Sequence, residues 1–244
     1  MNTTIDEIAD GIHRLSTWVP DIGPTGFTFN QFLIDADEPM LFHTGARAMF
    51  PLVSEAVAKV VPLDRLRWIS FGHVESDECG AMNQWLAAAP NATIAFNALG
   101  CELSVSDMAD REPRPMGPDE VLDLGGRRVR MISTPHVPHN WEAQVMVEET
   151  TGTLFAGDLL THVGNGPALT SDDVLEPALA ADEMFGGVGI TPQTGATIRS
   201  LADLAPTTLA LMHGSSYTGD GAGMLRGLAD AYDAQLAGAI SFTR

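Results

Sequence analysis

Residues 66–78 read LRWISFGHVESDE, an apolar run of strand type that breaks at Gly72 into His73, Glu75 and Asp77. In an extended or turning segment, side chains two residues apart project to the same side. His73 and Glu75 can therefore grip one metal ion, while Asp77, past the turn and at the start of the next helix, reaches a second. Taken alone the string is a weak signal. A chain with 7 His and 32 acidic residues supplies an H-x-E-x-D by chance in roughly one such sequence in ten.

Three more strand-like runs close in the same manner. RMISTP runs into His136, TLFAG into Asp158, and TLALM into His213-Gly214. Strand ends are where rigid elements hand side chains to a site. A lone His at any of these places would read as a hydrogen-bonded core residue, and it is their joint placement that makes ligation the expected role. The expected set is His73, Glu75 and His136 on a first ion, with Asp77 and His213 on a second. Asp158 serves both, because one carboxylate carries two oxygens.

Outward from these motifs the chain alternates strand and helix patterns. Strands are expected at Gly26 to Ile34, Met40 to Phe42, Leu66 to Phe71, Arg128 to Ser133, Gln144 to Val147, Thr153 to Ala156 and Thr208 to Met212. Helical periodicity marks Phe50 to Val61, Asp77 to Ala89, Val174 to Phe185, Thr197 to Leu204 and Met224 to Leu236. Some strands follow one another with only a turn between, which predicts two mixed sheets with helices outside. Thr161 to Pro192, rich in Gly, Pro and acids, reads as a lid or interface loop. No linker or tandem repeat divides the chain, so one domain over residues 1–244 is expected, and as an assembly a homodimer.

The balance of 32 carboxylates against 13 Lys and Arg gives a net charge of -19, which repels nucleic acid and anionic membrane surfaces. No apolar run has bilayer length, and the N-terminus lacks the basic and apolar regions of a signal peptide. Two cysteines make no disulfide framework, so a cytoplasmic location is expected.

Taken in order, the H-x-E-x-D string, the later His, the Gly-Asp after a strand and the final His-Gly resemble the metallo-β-lactamase superfamily. Hydrolases of that superfamily carry His where this chain has Glu75. In this respect, and in the strand TFNQFLI (residues 28–34), it is similar to the di-iron domain of flavodiiron proteins and to stand-alone oxygen-binding di-iron proteins. The resemblance implies an α/β fold, the αββα four-layer sandwich, with the site at one edge of the two sheets. Two departures stand out. Glu78 occupies the place of a second-ion His, and it either ligates, turns away or leaves its place to water. The flavodoxin-like domain that supplies FMN is not expected, because the chain stops shortly after the last motif, and a separate redox partner protein would then deliver electrons.

Hard oxygen ligands lean toward iron, or manganese, over zinc. The expected cofactor is thus two iron ions, with Zn or Mn as alternatives, and the expected small ligand is O2 or NO. Three roles remain open at this stage: a reductase of O2 or NO, an oxygen sensor, and a metal-dependent hydrolase using a bridging hydroxide. Other residues receive plainer readings. His43 is a candidate for orienting a ligand, His139 an exposed residue of the pocket rim, and His162 a pocket or surface-loop residue. Cys79 reads as packing rather than nucleophile. Trp141 and Tyr217 either shape the pocket or simply pack. GDGAG at Gly219 to Gly223 has no Lys and follows no strand, so it is no phosphate loop.

Overall fold

The computed structural model describes residues 2–242. The first sheet joins β1 (Thr3–Ala9), β2 (Ile12–Val19), β3 (Phe27–Ile34), β4 (Met40–Phe42), β5 (Trp68–Ser70), β6 (Thr93–Asn97) and β7 (Arg114–Met116). The second joins β8 (Val121–Asp123), β9 (Arg128–Ser133), β10 (Gln144–Glu148), β11 (Thr153–Gly157), β12 (Leu169–Thr170), β13 (Thr208–Leu211) and β14 (Ser216–Thr218). In the first sheet the strands lie in chain order; in the second the order is β12-β14-β13-β11-β10-β9-β8. Antiparallel hairpins (β1 to β4, β8 to β11) lead in each sheet to parallel pairs (β4 to β7, β11 with β13).

Period-two alternation builds the layers. In β3, Phe32 and Ile34 face one cluster and Leu33 the other. In β11, Phe155 joins the first of these clusters while Leu154 and Ala156 face a third. The shared cluster, with Phe32, Phe42, Met146, Phe155 and Ala210, lies between the two sheets. Outside the first sheet pack helices Phe50–Val57 and Met82–Ala88; outside the second pack Leu175–Phe185, Thr194–Ala202 and Gly221–Phe242. This is the αββα sandwich expected from the sequence.

The helix expected over Asp77 to Ala89 is two pieces, Ser76–Cys79 and Met82–Ala88. Gly80 marks the break, since a Cβ there would come 2.2 Å from the Ser76 carbonyl oxygen. The excursion from Thr161 to Pro192 contains β12 and the helix Leu175–Phe185. No helix among the described residues is long and apolar enough to cross a membrane.

Phe155 is fully buried between the sheets, its ring centroid 5.5 Å from that of Phe32 and 5.3 Å from that of Phe42. Phe155→Ala should cost about 3–5 kcal/mol of unfolding free energy in urea titration. A loss below about 1 kcal/mol would mean that the two sheets close over the gap and that this layer is not the tightly packed centre.

Candidate metal centre

The strand ends converge at one edge of the sandwich. His73 follows β5, and its Nε2 lies 2.8 Å from Glu75 Oε2. Glu75 is extended and opens the short helix that carries Asp77. Nε2 of His139 stands 2.8 Å from His73 Nε2 and 3.2 Å from Glu75 Oε2. Asp158, one residue past β11, turns Oδ2 to this group, 3.7 Å from His73 Nε2 and 3.8 Å from His139 Nε2. Ligand atoms of His73, Glu75, His139 and Asp158 all lie within 4.8 Å of one another.

Beside it is a second group. Asp158 turns its other oxygen, Oδ1, to His213 Nε2 at 3.3 Å, and Asp77 Oδ2 stands 3.4 Å from the same nitrogen. The His213 ring is aimed by its own Nδ1–H, which donates to the Thr28 carbonyl at 2.7 Å, and Phe27 stacks on it at 4.2 Å.

Five of the six expected residues thus come together, and His136 does not. It is exposed at φ +64°, while His139 takes the place expected for it. The expectation rests on the first histidine past the strand. However, β9 ends at Ser133 and the chain then turns, with Val137 N–H donating to Thr134 O and His136 N–H to Asn140 O. Val137 is buried against the outer helices, so His136 is left outside the turn and His139 meets the group. The signal available in the sequence was that second histidine in the same loop.

Glu78 turns away from Asp77 and His213. It is wholly buried, and its Oε2 accepts the backbone N–H groups of Gly72 (2.6 Å) and His73 (2.7 Å). Its Oε1 faces His73 Nδ1 at 3.3 Å and His43 Nε2 at 3.4 Å. His43 is therefore behind the site, held by Asn30 O at 3.3 Å. His162 neither lines the pocket nor lies on the surface. It is packed under the loop after His213, accepting Ser215 N–H at Nε2 and facing Leu160 O through Nδ1. Gly214, at φ +89°, has no room for a Cβ against that ring.

Burial raises the Cys79 thiol to about 12, which fits packing and not a nucleophile. Tyr217 is buried in the outer core and Trp141 is exposed; neither lines the pocket. GDGAG directly follows β14, contrary to the expectation that no strand precedes it, but it has no Lys and Asp220 caps the helix Gly221–Phe242 by accepting Gly223 N–H, so it is a helix start.

The charges of the site are mutually dependent. Burial depresses the His73 pKa, but Glu78, Glu75 and Asp158 outweigh it and push it up to about 11. For His213, Asp158 and Asp77 outweigh burial in the same way, to about 10. Hydrogen bonds from His139 and His73 hold Glu75 well below the usual carboxylate range. Asp158 Oδ1 and Glu78 Oε1 are buried with no hydrogen-bond partner, and imidazole nitrogens of His73 and His139 face each other. Such a set is stabilised by protons or, better, by cations, and its imidazole and carboxylate donors suit two first-row metal ions. Over the centre lies a pocket of about 240 Å³, walled mainly by apolar groups such as Ile22, Phe27, Pro138, Phe185 and Val188.

A four-layer sandwich with histidines and carboxylates at one sheet edge defines the metallo-β-lactamase fold, in the form found in flavodiiron cores. Residues 27–181 match the family described as ODP family beta lactamase, and the chain belongs to it. The rubredoxin oxygen:oxidoreductase of Desulfovibrio gigas superposes with a TM-score of 0.83 at 20% identity, covering 94% of this chain and 62% of that one. A putative diflavin flavoprotein A 1 from Nostoc sp. is 27% identical over 141 residues, 55% of this chain and 23% of its own length. A hydroxyacylglutathione hydrolase of Acidiphilium cryptum is 32% identical over 212 residues, 81% of this chain and 72% of its own length. The chain therefore spans about a quarter of the diflavin relative and most of the hydrolase.

The raised histidine values fix the sign of two pH effects. Near neutral pH, metal-free His73 and His213 hold protons that a metal must displace, so binding should release protons and tighten as pH rises. Their contribution to the stability of metal-free protein is full below about 6.5 and fades as pH climbs toward 10 and 11. Calorimetric titration with Zn2+ in buffers of different ionisation enthalpy reads the released protons directly. Zero release near neutral pH would show that these imidazoles are not the protonated ligands of the site.

Proposed function

We propose that the protein is a non-haem di-iron protein that binds and reduces O2 or NO with electrons from a separate donor protein. The observation that carries this reading is Glu75, whose carboxylate stands beside His73 Nε2 at 2.8 Å, where it would give the first ion an anionic oxygen ligand. In this assignment His73, Glu75 and His139 would hold the first ion, Asp77 and His213 the second. Asp158 would serve both, which its two oxygens facing the two groups support. Bound iron would supply the site for the diatomic ligand and the electrons for its reduction. The chain's own residues hold the spacing through Asp158, aim the imidazoles, and restrict water by the apolar wall of the pocket.

The second reading is a metallo-hydrolase, favoured by the likeness to the Acidiphilium enzyme. The pocket of about 240 Å³ lies just under the roughly 300–1,000 Å³ typical of sites for larger organic ligands, so the preference for the first reading rests on Glu75. The sensor role uses the same site without turnover. One domain and a cytoplasmic homodimer complete the proposal.

Protein purified gently from iron-supplemented medium should hold about two metal equivalents, mostly iron. His139→Ala should lower metal content, while His136→Ala leaves it unchanged; the reverse pattern would return His136 to the ligand set. Reduced protein mixed with O2 should change its spectrum within a stopped-flow shot, and steady turnover with a rubredoxin-like donor separates reductase from sensor. Hydrolysis of an acylglutathione thioester by zinc-loaded protein, with no O2 reaction of the iron form, would decide for the hydrolase. Glu75→His should shift the Fe2+-to-Zn2+ preference toward zinc in competition under argon, because it replaces a hard anionic ligand by a neutral one.

A further inference from the structure

Glu78 stands in the metal string yet contacts neither Asp77 nor His213. Its Oε2 is fixed by the adjacent backbone N–H groups of Gly72 and His73, at 2.6 and 2.7 Å. A carboxylate that accepts two N–H groups in a fully buried place is anchored in both position and charge. The anchor depends on Gly72, where a Cβ would come 3.0 Å from Oε2 and 3.1 Å from Oε1. What remains is Oε1, which has no hydrogen-bond partner of good geometry and faces the Nδ1 of His73 at 3.3 Å, with the Nε2 of buried His43 on its other side at 3.4 Å.

Two acceptors cannot face each other at that distance in a buried site without repulsion. With Glu78 ionised, Nδ1 of His73 must therefore carry the proton. A neutral imidazole has one protonated nitrogen, so Nε2 is then the bare one. Nε2 is the atom that meets Glu75, His139 and Asp158. We propose that Glu78 is a positioning residue: it fixes the tautomer and ring orientation of His73 so that Nε2 is presented to the first metal ion, in place of ligating the second. The inference rests on the metal reading and on no particular reaction.

The Glu78→Gln substitution tests the idea by shape-neutral chemistry. A glutamine has one acceptor oxygen, which the Gly72 and His73 N–H groups claim, and its NH2 then faces His73 Nδ1. That nitrogen must become the acceptor, the proton moves to Nε2, and the metal-facing atom is blocked. Zn2+ alone is a suitable diamagnetic probe. In zinc-loaded wild-type protein, long-range 15N NMR of the histidine rings should show His73 coordinated through Nε2, with a protonated, exchange-resistant Nδ1. Glu78→Gln should keep its circular dichroism and lose about 10–100-fold in affinity at one zinc equivalent, the range that loss of such an orienting partner causes.

Coordination of His73 through Nδ1 would overturn the proposal. So would a Glu78→Gln variant with unchanged zinc affinity and an unchanged His73 ring spectrum. If the variant does not fold, the wild-type ring spectrum decides by itself. Failure of the wild-type chain to take up any zinc or iron would remove the metal reading and this inference with it. Uptake of two ions with the wrong His73 nitrogen removes the inference alone.

Discussion

The structure depends on keeping several carboxylates and imidazoles together in one partly buried place. Asp158 is at the centre of that constraint, turning one oxygen to His73 and His139 and the other to His213. Isolated buried carboxylates are costly, and what stabilises these is the ring of donors aimed at them. The same field raises His73 and His213 and lowers Glu75, so the cluster behaves as one unit with a strong demand for positive charge.

Meeting that constraint requires the two sheets to be registered against each other at the site edge, and polar residues do this. From the first sheet, Asn30 donates through Nδ2 to the carbonyls of Leu211 and Gly214, and its N–H donates to Met212 O. Thr28 accepts from His213 Nδ1 and, through its hydroxyl, from Gly214 N–H, while buried Arg14 donates to Gly214 O. In return, Gln144 of the second sheet donates to Phe71 O through its side chain and to Gly72 O through its backbone. The apolar layer between the sheets gives cohesion without register; these directional bonds lock the ligand loops.

Much of the site was legible because Asp158 and His213 each follow an apolar strand directly, where periodicity is easy to read. His139 was not, since its place depends on where the 134–140 turn tucks Val137, a tertiary matter that no local pattern encodes. The strands β1 and β2 were also missed. Thr3–Ala9 buries only Ile8, and Ile12–Val19 buries Arg14, Ser16 and Thr17, so neither shows a clean apolar alternation. Part of this has a use: buried Arg14 donates across to Gly214 O beside His213, whereas Thr17 pairs with Thr3 within the first sheet.

The position of Glu78 changes the charge balance drawn from the ligands alone. Glu75, Asp77 and Asp158 with one hydroxide would offset two divalent ions. Glu78 adds a fourth fixed carboxylate that touches a ligand ring and not the second group. A charge need not ligate to count. At low effective dielectric the interaction falls only as the inverse of distance, so one imidazole ring of separation weakens Glu78's effect without removing it. Its two backbone donors partly balance that charge, but they are dipoles and leave the net charge in place. The group is therefore more negative than Glu75, Asp77 and Asp158 alone make it, and this would favour the higher oxidation state of a redox metal held there. Zinc has only one accessible state, so for zinc the same carboxylate would act through the orientation and basicity of the His73 ring alone. A buried carboxylate behind the His73 ring, where the superfamily usually has a second-ion His, would thus act on any metal the site holds, through ring orientation and basicity for zinc and through the oxidation state as well for iron.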